Sequence, residues 1–142
     1  MVVKVLAVSK NFTALKFLTG LLDTHIEIID YCVLSEAYKQ YELFNPDVLL
    51  LEINWPRPHQ PKAAYEVIEK LLQANPLARI VAMTHFYDKA TQQTLISAGV
   101  LGYVYLASAG MSSKEILVHF NQTILAVGTG ESFFMKESPI IQ

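Results

Sequence analysis

The sequence predicts an α/β fold in which five helices cover a doubly wound sheet of five parallel strands. Short apolar runs rich in β-branched residues alternate along the chain with segments whose apolar residues recur every three or four positions. The runs are apolar on both faces, which is typical of strands buried in a parallel sheet. With 142 residues, of which 52% are hydrophobic and 17% charged, the chain can bury the core of one domain of this class.

The five predicted strands are four to eight residues long. They cover residues 2–8, 26–33, 48–53, 79–84 and 102–106. Repetition of strand and helix implies right-handed crossovers, which place helices on both faces of the sheet. In such folds the functional site lies at the carboxyl ends of the strands.

A helix is predicted after each strand from apolar residues at helical spacing. The first helix is indicated by Phe12, Leu15, Leu18 and Leu22, and the third by residues 64–72. The second, fourth and fifth helices cover residues 36–44, 89–98 and 113–127. Their expected N-caps have short polar side chains that accept from the first backbone N–H groups: Ser35, Asp88, and Ser112 or Ser113.

Composition excludes several classes of function. The formal net charge is −2 and the basic residues do not cluster, so direct contact of this segment with nucleic acid is not expected. Cys32 is the single cysteine and lies in a predicted strand, which favours a buried, unreactive thiol and a cytoplasmic location. No apolar run approaches the roughly 20 residues that span a bilayer, so no membrane partner is expected.

Few reactive side chains follow the predicted strands. The sequence contains no GxSxG nucleophile motif, no GxxxxGK[ST] phosphate loop and no GxGxxG dinucleotide motif. His85 lacks a nearby cysteine or second histidine, which disfavours a metal site there. We therefore expect no enzyme activity, no cofactor and no bound metal.

Three segments carry a resemblance to a known family. PDVLLLEINWP (residues 46–56), ARIVAMTHF (78–86) and SAGVLGYVYLASAG (97–110) resemble the third, fourth and fifth strand regions of bacterial response-regulator receiver domains, particularly the NarL/FixJ type. The resemblance covers about residues 2–130. It implies a CheY-like sheet of order 2-1-3-4-5, a receiver-like domain over residues 1–130, and a role in two-component phosphorelay signal transduction or transcription regulation.

The resemblance also shows which parts of the family's chemistry are missing. Ser9 and Lys10 stand where an acid pair normally holds Mg²⁺, and Leu106 stands where a lysine normally ends the fifth strand. Glu52 corresponds to the aspartate that accepts the phosphoryl group. The chain therefore resembles a degenerate receiver, or pseudo-receiver, and we expect Glu52 to form an ion pair with Lys10 across the former metal site.

Two further positions of the family's pattern are retained. The hydroxyl that follows the phosphoryl group is present as Thr84, and the aromatic switch residue is present as Tyr103. Glu52 could mimic the phosphorylated state and fix this pair in the active arrangement, although its single charge is below the roughly −1.5 to −2 of a phosphoryl group. The alternative is that Glu52 is a tolerated, solvated acid.

The resemblance assigns partner contact to the face formed by the fourth helix, fifth strand and fifth helix, where a protein partner or a second copy would dock. The candidate contact residues are Lys89, Gln92, Gln93, Tyr105, Ser113 and Lys114. Residues 131–142 either pack back on the domain or begin a linker, which in NarL-type regulators leads to a DNA-binding domain.

The favoured interpretation is an atypical receiver that acts through dimerisation or protein contact without ordinary Asp phosphorylation. One alternative is a small-molecule sensor that uses a crevice around Ser9, Glu52, Thr84 and Leu106. The other is a phosphorelay receiver that is still modified at Glu52.

Overall fold

The computed structural model describes residues 1–10, 16, 20–53 and 61–135. Five strands form one parallel sheet in the order β2-β1-β3-β4-β5, as predicted. The strands are β1 (Val3–Val8), β2 (Ile26–Cys32), β3 (Val48–Glu52), β4 (Ile80–Phe86) and β5 (Gly102–Ala107). Strand β4 extends two residues beyond its predicted end, which brings His85 and Phe86 into the strand.

The described residues contain four α-helices, where five were expected. They are α1 (Ala37–Phe44), α2 (Pro61–Ala74), α3 (Lys89–Ala98) and α4 (Ser113–Gly128), which correspond to the second to fifth predicted helices. Of the predicted first helix, Phe12, Leu15 and Leu18 lie outside the described residues. Leu22 is described and lies in a bend, where it packs against the core without being helical.

Two of the predicted helix caps are confirmed and one is wrong. Asp88 accepts from the backbone N–H of Thr91 at 2.9 Å, and Ser112 forms a capping box with Glu115. Ser35 does not cap α1, because a 3₁₀ turn over Leu34–Glu36 precedes this helix. In that turn the N–H of Ala37 donates to the carbonyl of Leu34, so backbone takes the place of the expected side-chain cap.

The sheet separates two layers of the core, as a doubly wound fold requires. Alternate residues of β3 face opposite layers, with Leu49 and Leu51 in the first and Val48 and Leu50 in the second. Helices α1, α2 and α3 pack in the first layer, and α4 packs in the second through Phe120, Ile124 and Val127. Because every one of these β3 side chains is buried, polar groups are displaced to the ends of the strands.

Helix α4 lies unusually close to β5 at Gly102. An ideal Cβ on this glycine would be 2.6 Å from Thr123 Cγ2 and 3.0 Å from Val127 Cγ2. Next to Val127, at the end of α4, the carbonyl of Gly128 accepts from the guanidinium of Arg79 at 2.6 Å. The C-terminal part of α4 is therefore fixed both to β5 and to the residue that precedes β4.

Two observations bear on the environment of the chain. Cys32 is buried as predicted, and desolvation raises the pKa of its thiol to about 11, which keeps it protonated at neutral pH. In the part of the chain that the structure describes, no helix has the length and apolar character needed to cross a bilayer.

Candidate functional site

Glu52 is the centre of a small polar cluster at the carboxyl ends of three strands. It is the last residue of β3, and its side chain is only 13% exposed. The Ser9 hydroxyl, at the end of β1, donates to Glu52 Oε1. From β4, His85 Nε2 lies 3.6 Å from Glu52 Oε2. A carboxylate buried to this degree is costly without polar partners; the Ser9 hydroxyl supplies a hydrogen bond, and the His85 imidazole lies within ion-pair distance.

The prediction that Glu52 forms an ion pair with Lys10 is wrong. Among the described residues, the basic side chain within ion-pair distance of Glu52 is His85, and no ion pair between Glu52 and Lys10 is found. Ser9 is buried and takes the position next to the carboxylate. Lys10 is exposed and lies at the rim of a cavity of about 160 Å³ that Ser9 and Glu52 also line. His85, for which the sequence disfavoured a metal role, is instead the charge partner when protonated.

The residues present do not fit the Mg²⁺ ion that the family resemblance would imply. Mg²⁺ needs near-octahedral oxygen ligands, usually including carboxylates. Glu52 is the carboxylate of this cluster, and the Ser9 hydroxyl is already engaged with it. Across the described ranges, no group of three or more His, Cys, Asp or Glu side chains could hold a metal ion.

Thr84 and Tyr103 form a second, buried hydrogen-bonded pair beside this cluster. Thr84 Oγ1 lies 2.6 Å from Tyr103 Oη, and both side chains are almost fully buried. Both hydroxyls also reach the carbonyl of Phe86, Thr84 Oγ1 at 2.7 Å and Tyr103 Oη at 3.1 Å, so one hydroxyl donates to the other and the second donates to this carbonyl. Asp88 donates its backbone N–H to Tyr103 Oη at 3.2 Å. The hydroxyl of Thr84 is thus engaged with Tyr103 and Phe86.

Burial raises the pKa of Tyr103, so its phenol stays protonated and remains a donor at neutral pH. Of the four residues around which a crevice was expected, Ser9 and Glu52 line the cavity of about 160 Å³, and Thr84 and Leu106 are not among its described lining residues. Thr84 is covered, and Leu106 packs against the second layer of the core. The polar cluster around Glu52 and the Thr84–Tyr103 pair are connected by adjacent residues, because His85 of the cluster follows Thr84 directly in β4.

The candidate contact residues divide into two groups. Lys89, Gln93, Ser113 and Lys114 are exposed on α3 and α4. Gln92 is 4% exposed and Tyr105 is fully buried, so the expectation that their side chains face a partner is wrong for this structure. The reason is that residues 131–135 cover them.

Residues 131–135, which we call the C-terminal segment, pack back on the domain. The N–H of Phe133 donates to the carbonyl of Leu101 at 2.8 Å. Gln92 Nε2 donates to the carbonyl of Met135 at 3.0 Å, and the Tyr105 hydroxyl lies 3.0 Å from Met135 Sδ. Of the two alternatives for the tail, packing back applies to these five residues, and residues 136–142 lie outside the described part.

A series of aromatic rings connects Tyr103 to the C-terminal segment. Tyr103 and Tyr105 are 5.6 Å apart between ring centroids, and Tyr87 packs against both. Tyr105 stacks on His119 at 4.9 Å, and His119 lies 5.8 Å from Phe133. Tyr87 and His119 were not predicted as site residues from the sequence. The two-residue spacing of Tyr103 and Tyr105, which places both on one face of β5, was the available signal.

We predict that Tyr103→Phe lowers the free energy of unfolding by about 1–2 kcal/mol, because it removes the hydroxyl shared by Thr84 and the N–H of Asp88 without changing the ring. Urea denaturation of both proteins measures the difference. Tyr65→Phe is the matched control, since no hydrogen bond to the Tyr65 hydroxyl is found among the described residues. Equal losses in the two variants would contradict a special role for the Thr84 pair.

We predict a stability change in mildly acidic solution from His119. Burial lowers the pKa of His119 below 6.5, and its Nε2–H donates to the carbonyl of Tyr103 at 3.2 Å. The unfolded chain then binds the proton more readily, so the contribution to stability is complete above about pH 6.5 and decreases as the pH falls.

Thermal unfolding between pH 7.5 and 5.5 measures this effect. His119→Gln, which can keep the donor to Tyr103, should reduce the slope of melting temperature against pH. If His119→Gln keeps the wild-type slope, the predicted contribution of His119 is absent.

Comparisons with known proteins give one consistent result. No protein-family model matches the chain, and no curated protein matches it in sequence. A two-component response regulator of the LuxR family from Aurantimonas sp. SI85-9A1 is 21% identical, with a TM-score of 0.71 over 99% of this chain and 93% of that one. The isolated REC domain of RcsB from Salmonella enterica serovar Typhimurium is 12% identical, with a TM-score of 0.72 over 96% and 95%.

The response regulator domain of Thermotoga maritima CheB is similar to the same degree, with 14% identity and a TM-score of 0.72 over 91% of this chain and 98% of that one. At identities this low, the likeness establishes the fold. Sheet order, strand direction and chain coverage agree with it. The chain therefore has the receiver-domain fold of response regulators.

Proposed function

We propose that this chain is a pseudo-receiver of two-component signal transduction or transcription regulation, which acts in the cytoplasm through protein contact without ordinary Asp phosphorylation. The observation that carries the proposal is the environment of Glu52. By its resemblance to receiver domains this residue corresponds to the phosphoacceptor position, and its carboxylate is engaged by Ser9 and His85. The acid completes a polar cluster with one hydrogen bond and one imidazole at ion-pair distance.

The surroundings of Glu52 do not favour phosphoryl transfer. Such transfer depends on cations that neutralise charge on the equatorial phosphoryl oxygens. Leu106 brings no charge, and the oxygen ligands present do not fit Mg²⁺. A glutamate carboxylate is also about one methylene farther from its backbone than an aspartate carboxylate, and misplacements on the order of 1 Å can cost about 100-fold in rate.

The hydrogen-bonded pair of Thr84 and Tyr103 supports a role in which the conformation of the domain carries the signal. Thr84 and Tyr103 are hydrogen-bonded with Tyr103 fully buried, and His85 joins Thr84 to Glu52 through adjacent positions of β4. We therefore propose that Glu52, Ser9 and His85 hold the end of β4 in one arrangement without a phosphoryl group. The face of α3, β5 and α4 would carry that arrangement to a protein partner or a second copy through the exposed Lys89, Gln93, Ser113 and Lys114.

We predict that incubation with acetyl phosphate and Mg²⁺ leaves the intact mass of the protein unchanged, because neither the acceptor geometry nor the counter-charge is in place. A receiver domain with the full acid set, treated in the same tube, is the positive control. An added phosphoryl group that disappears in Glu52→Gln would instead establish the phosphorelay alternative and overturn the proposal.

A second candidate function is supported by a cavity next to the Glu52 cluster. Its volume is about 650 Å³, within the range of small-molecule sites. Its walls combine apolar residues with two lysines, one serine and one glutamate: Val33, Leu34, Ala63, Val67, Lys10, Lys70, Ser35 and Glu66. The charges suit a ligand with an apolar body and an anionic group.

We predict for this second function that a small carboxylate or phosphate metabolite with an apolar body raises the melting temperature, since a ligand of the native state stabilises it. Lys70→Ala should reduce the increase, whereas Lys62→Ala, at an exposed position of the same helix, should not. If no member of a panel of such metabolites shifts the wild-type melting temperature, the sensor function is contradicted.

A further inference from the structure

The C-terminal segment pairs with the outer edge of β5 as a short extended peptide. Strand β5 is the last strand of the sheet, and its outer edge would otherwise present unpaired backbone groups. Phe133 forms a parallel bridge with Gly102, and its N–H donates to the carbonyl of Leu101. The C-terminal segment therefore contacts the domain as an extended peptide added to a sheet edge, which is a common mode of peptide recognition.

The surface under the segment has separate contacts for alternate side chains. Phe133 lies against His119 of α4, and Met135 lies against Tyr105 of β5. Burial raises the pKa of Tyr105 to about 12, so its hydroxyl stays protonated and can donate to Met135 Sδ. Residues two apart in an extended chain point the same way, so an aromatic residue and a methionine at this spacing match the surface.

The side chain of Gln92 hydrogen-bonds to the backbone of the segment, and its amide oxygen is available to accept a further hydrogen bond. Its Nε2 donates to the carbonyl of Met135, whereas its Oε1 is buried and has no hydrogen-bond partner among the described residues. An amide side chain offers the same donor and acceptor as a peptide group. An extended occupant that also donates a backbone N–H to Oε1 would satisfy Gln92 more completely than residues 131–135 do.

None of the five residues of the segment is fully buried. The segment is held by one bridge to β5, by the N–H of Glu131 on the carbonyl of Ala126, by the hydrogen bonds of Gln92 and Tyr105, and by the side chains of Phe133, Phe134 and Met135, which stay partly exposed. Segments with few buried contacts are the ones that open locally at low cost in free energy. The segment can therefore leave without unfolding of the sheet.

We propose that the groove between α3 and α4 over β5 is a docking site for an extended protein segment that has an aromatic residue and a methionine two positions apart. In this structure the chain's own C-terminal segment occupies the groove, and a partner segment competes with it. The inference rests on the proposed function, which assigns protein contact to this face, and adds the mode of recognition and the internal competitor.

The test uses the full chain and a fluorescently labelled peptide with the sequence of residues 131–136. Phe133→Ser combined with Met135→Ser weakens the internal occupant and leaves the groove unchanged. This double variant should bind the peptide at least about 10-fold more tightly than the wild type. Leu77→Ser, at an exposed site, is the control and should bind like the wild type. Adding Gln92→Ala to the double variant should weaken binding again.

Equal affinity of the wild type and the folded double variant, or no binding to either, overturns the proposal. Hydrogen exchange of the wild type provides a measurement without substitution. The Phe133 amide should be protected, and excess peptide should remove that protection; an unprotected amide overturns the internal occupancy. A phosphoryl adduct on Glu52 would overturn the proposed function alone, since peptide binding to the groove is measured independently of it.

Discussion

Burial of the parallel sheet on both faces is the constraint from which the site follows. The apolar side chains of β3 fill both layers, so the first place where a polar side chain can reach other polar groups is the carboxyl end of the strand. Ser9, Glu52 and His85 meet there because three neighbouring strands end at the same edge. The strand order thus determines where the polar cluster forms, and the residue types at positions 9, 52 and 85 determine its chemistry.

The identity of the residue at position 9 changes the character of this edge. A hydroxyl donates one hydrogen bond to Glu52 and adds no charge, whereas a second carboxylate would repel Glu52 and call for a cation. The imidazole of His85 completes the arrangement on the other side. A single acid can therefore be held at the end of a buried strand by groups that belong to the chain itself.

Local sequence predicted those features that depend on neighbours along the chain. The β-branched runs gave five strands, and Asp88 and Ser112 were recognisable as caps because capping involves residues within one turn. Tertiary contacts were harder. Lys10 was expected to pair with Glu52, and Gln92 and Tyr105 were expected at the surface, because neither the burial of Ser9 nor the return of residues 131–135 leaves a periodic signal.

The absence of a side chain at Gly102 has a consequence for the C-terminal end of α4. Close contact with Thr123 and Val127 sets the height of the helix above β5, and Arg79 anchors its last carbonyl. Only Thr129 and Gly130 separate that helix end from the C-terminal segment. The position of α4 on the sheet thus determines the register at which Phe133 pairs with Gly102. Because the small size of Gly102 sets that position, it also sets where the C-terminal segment contacts β5.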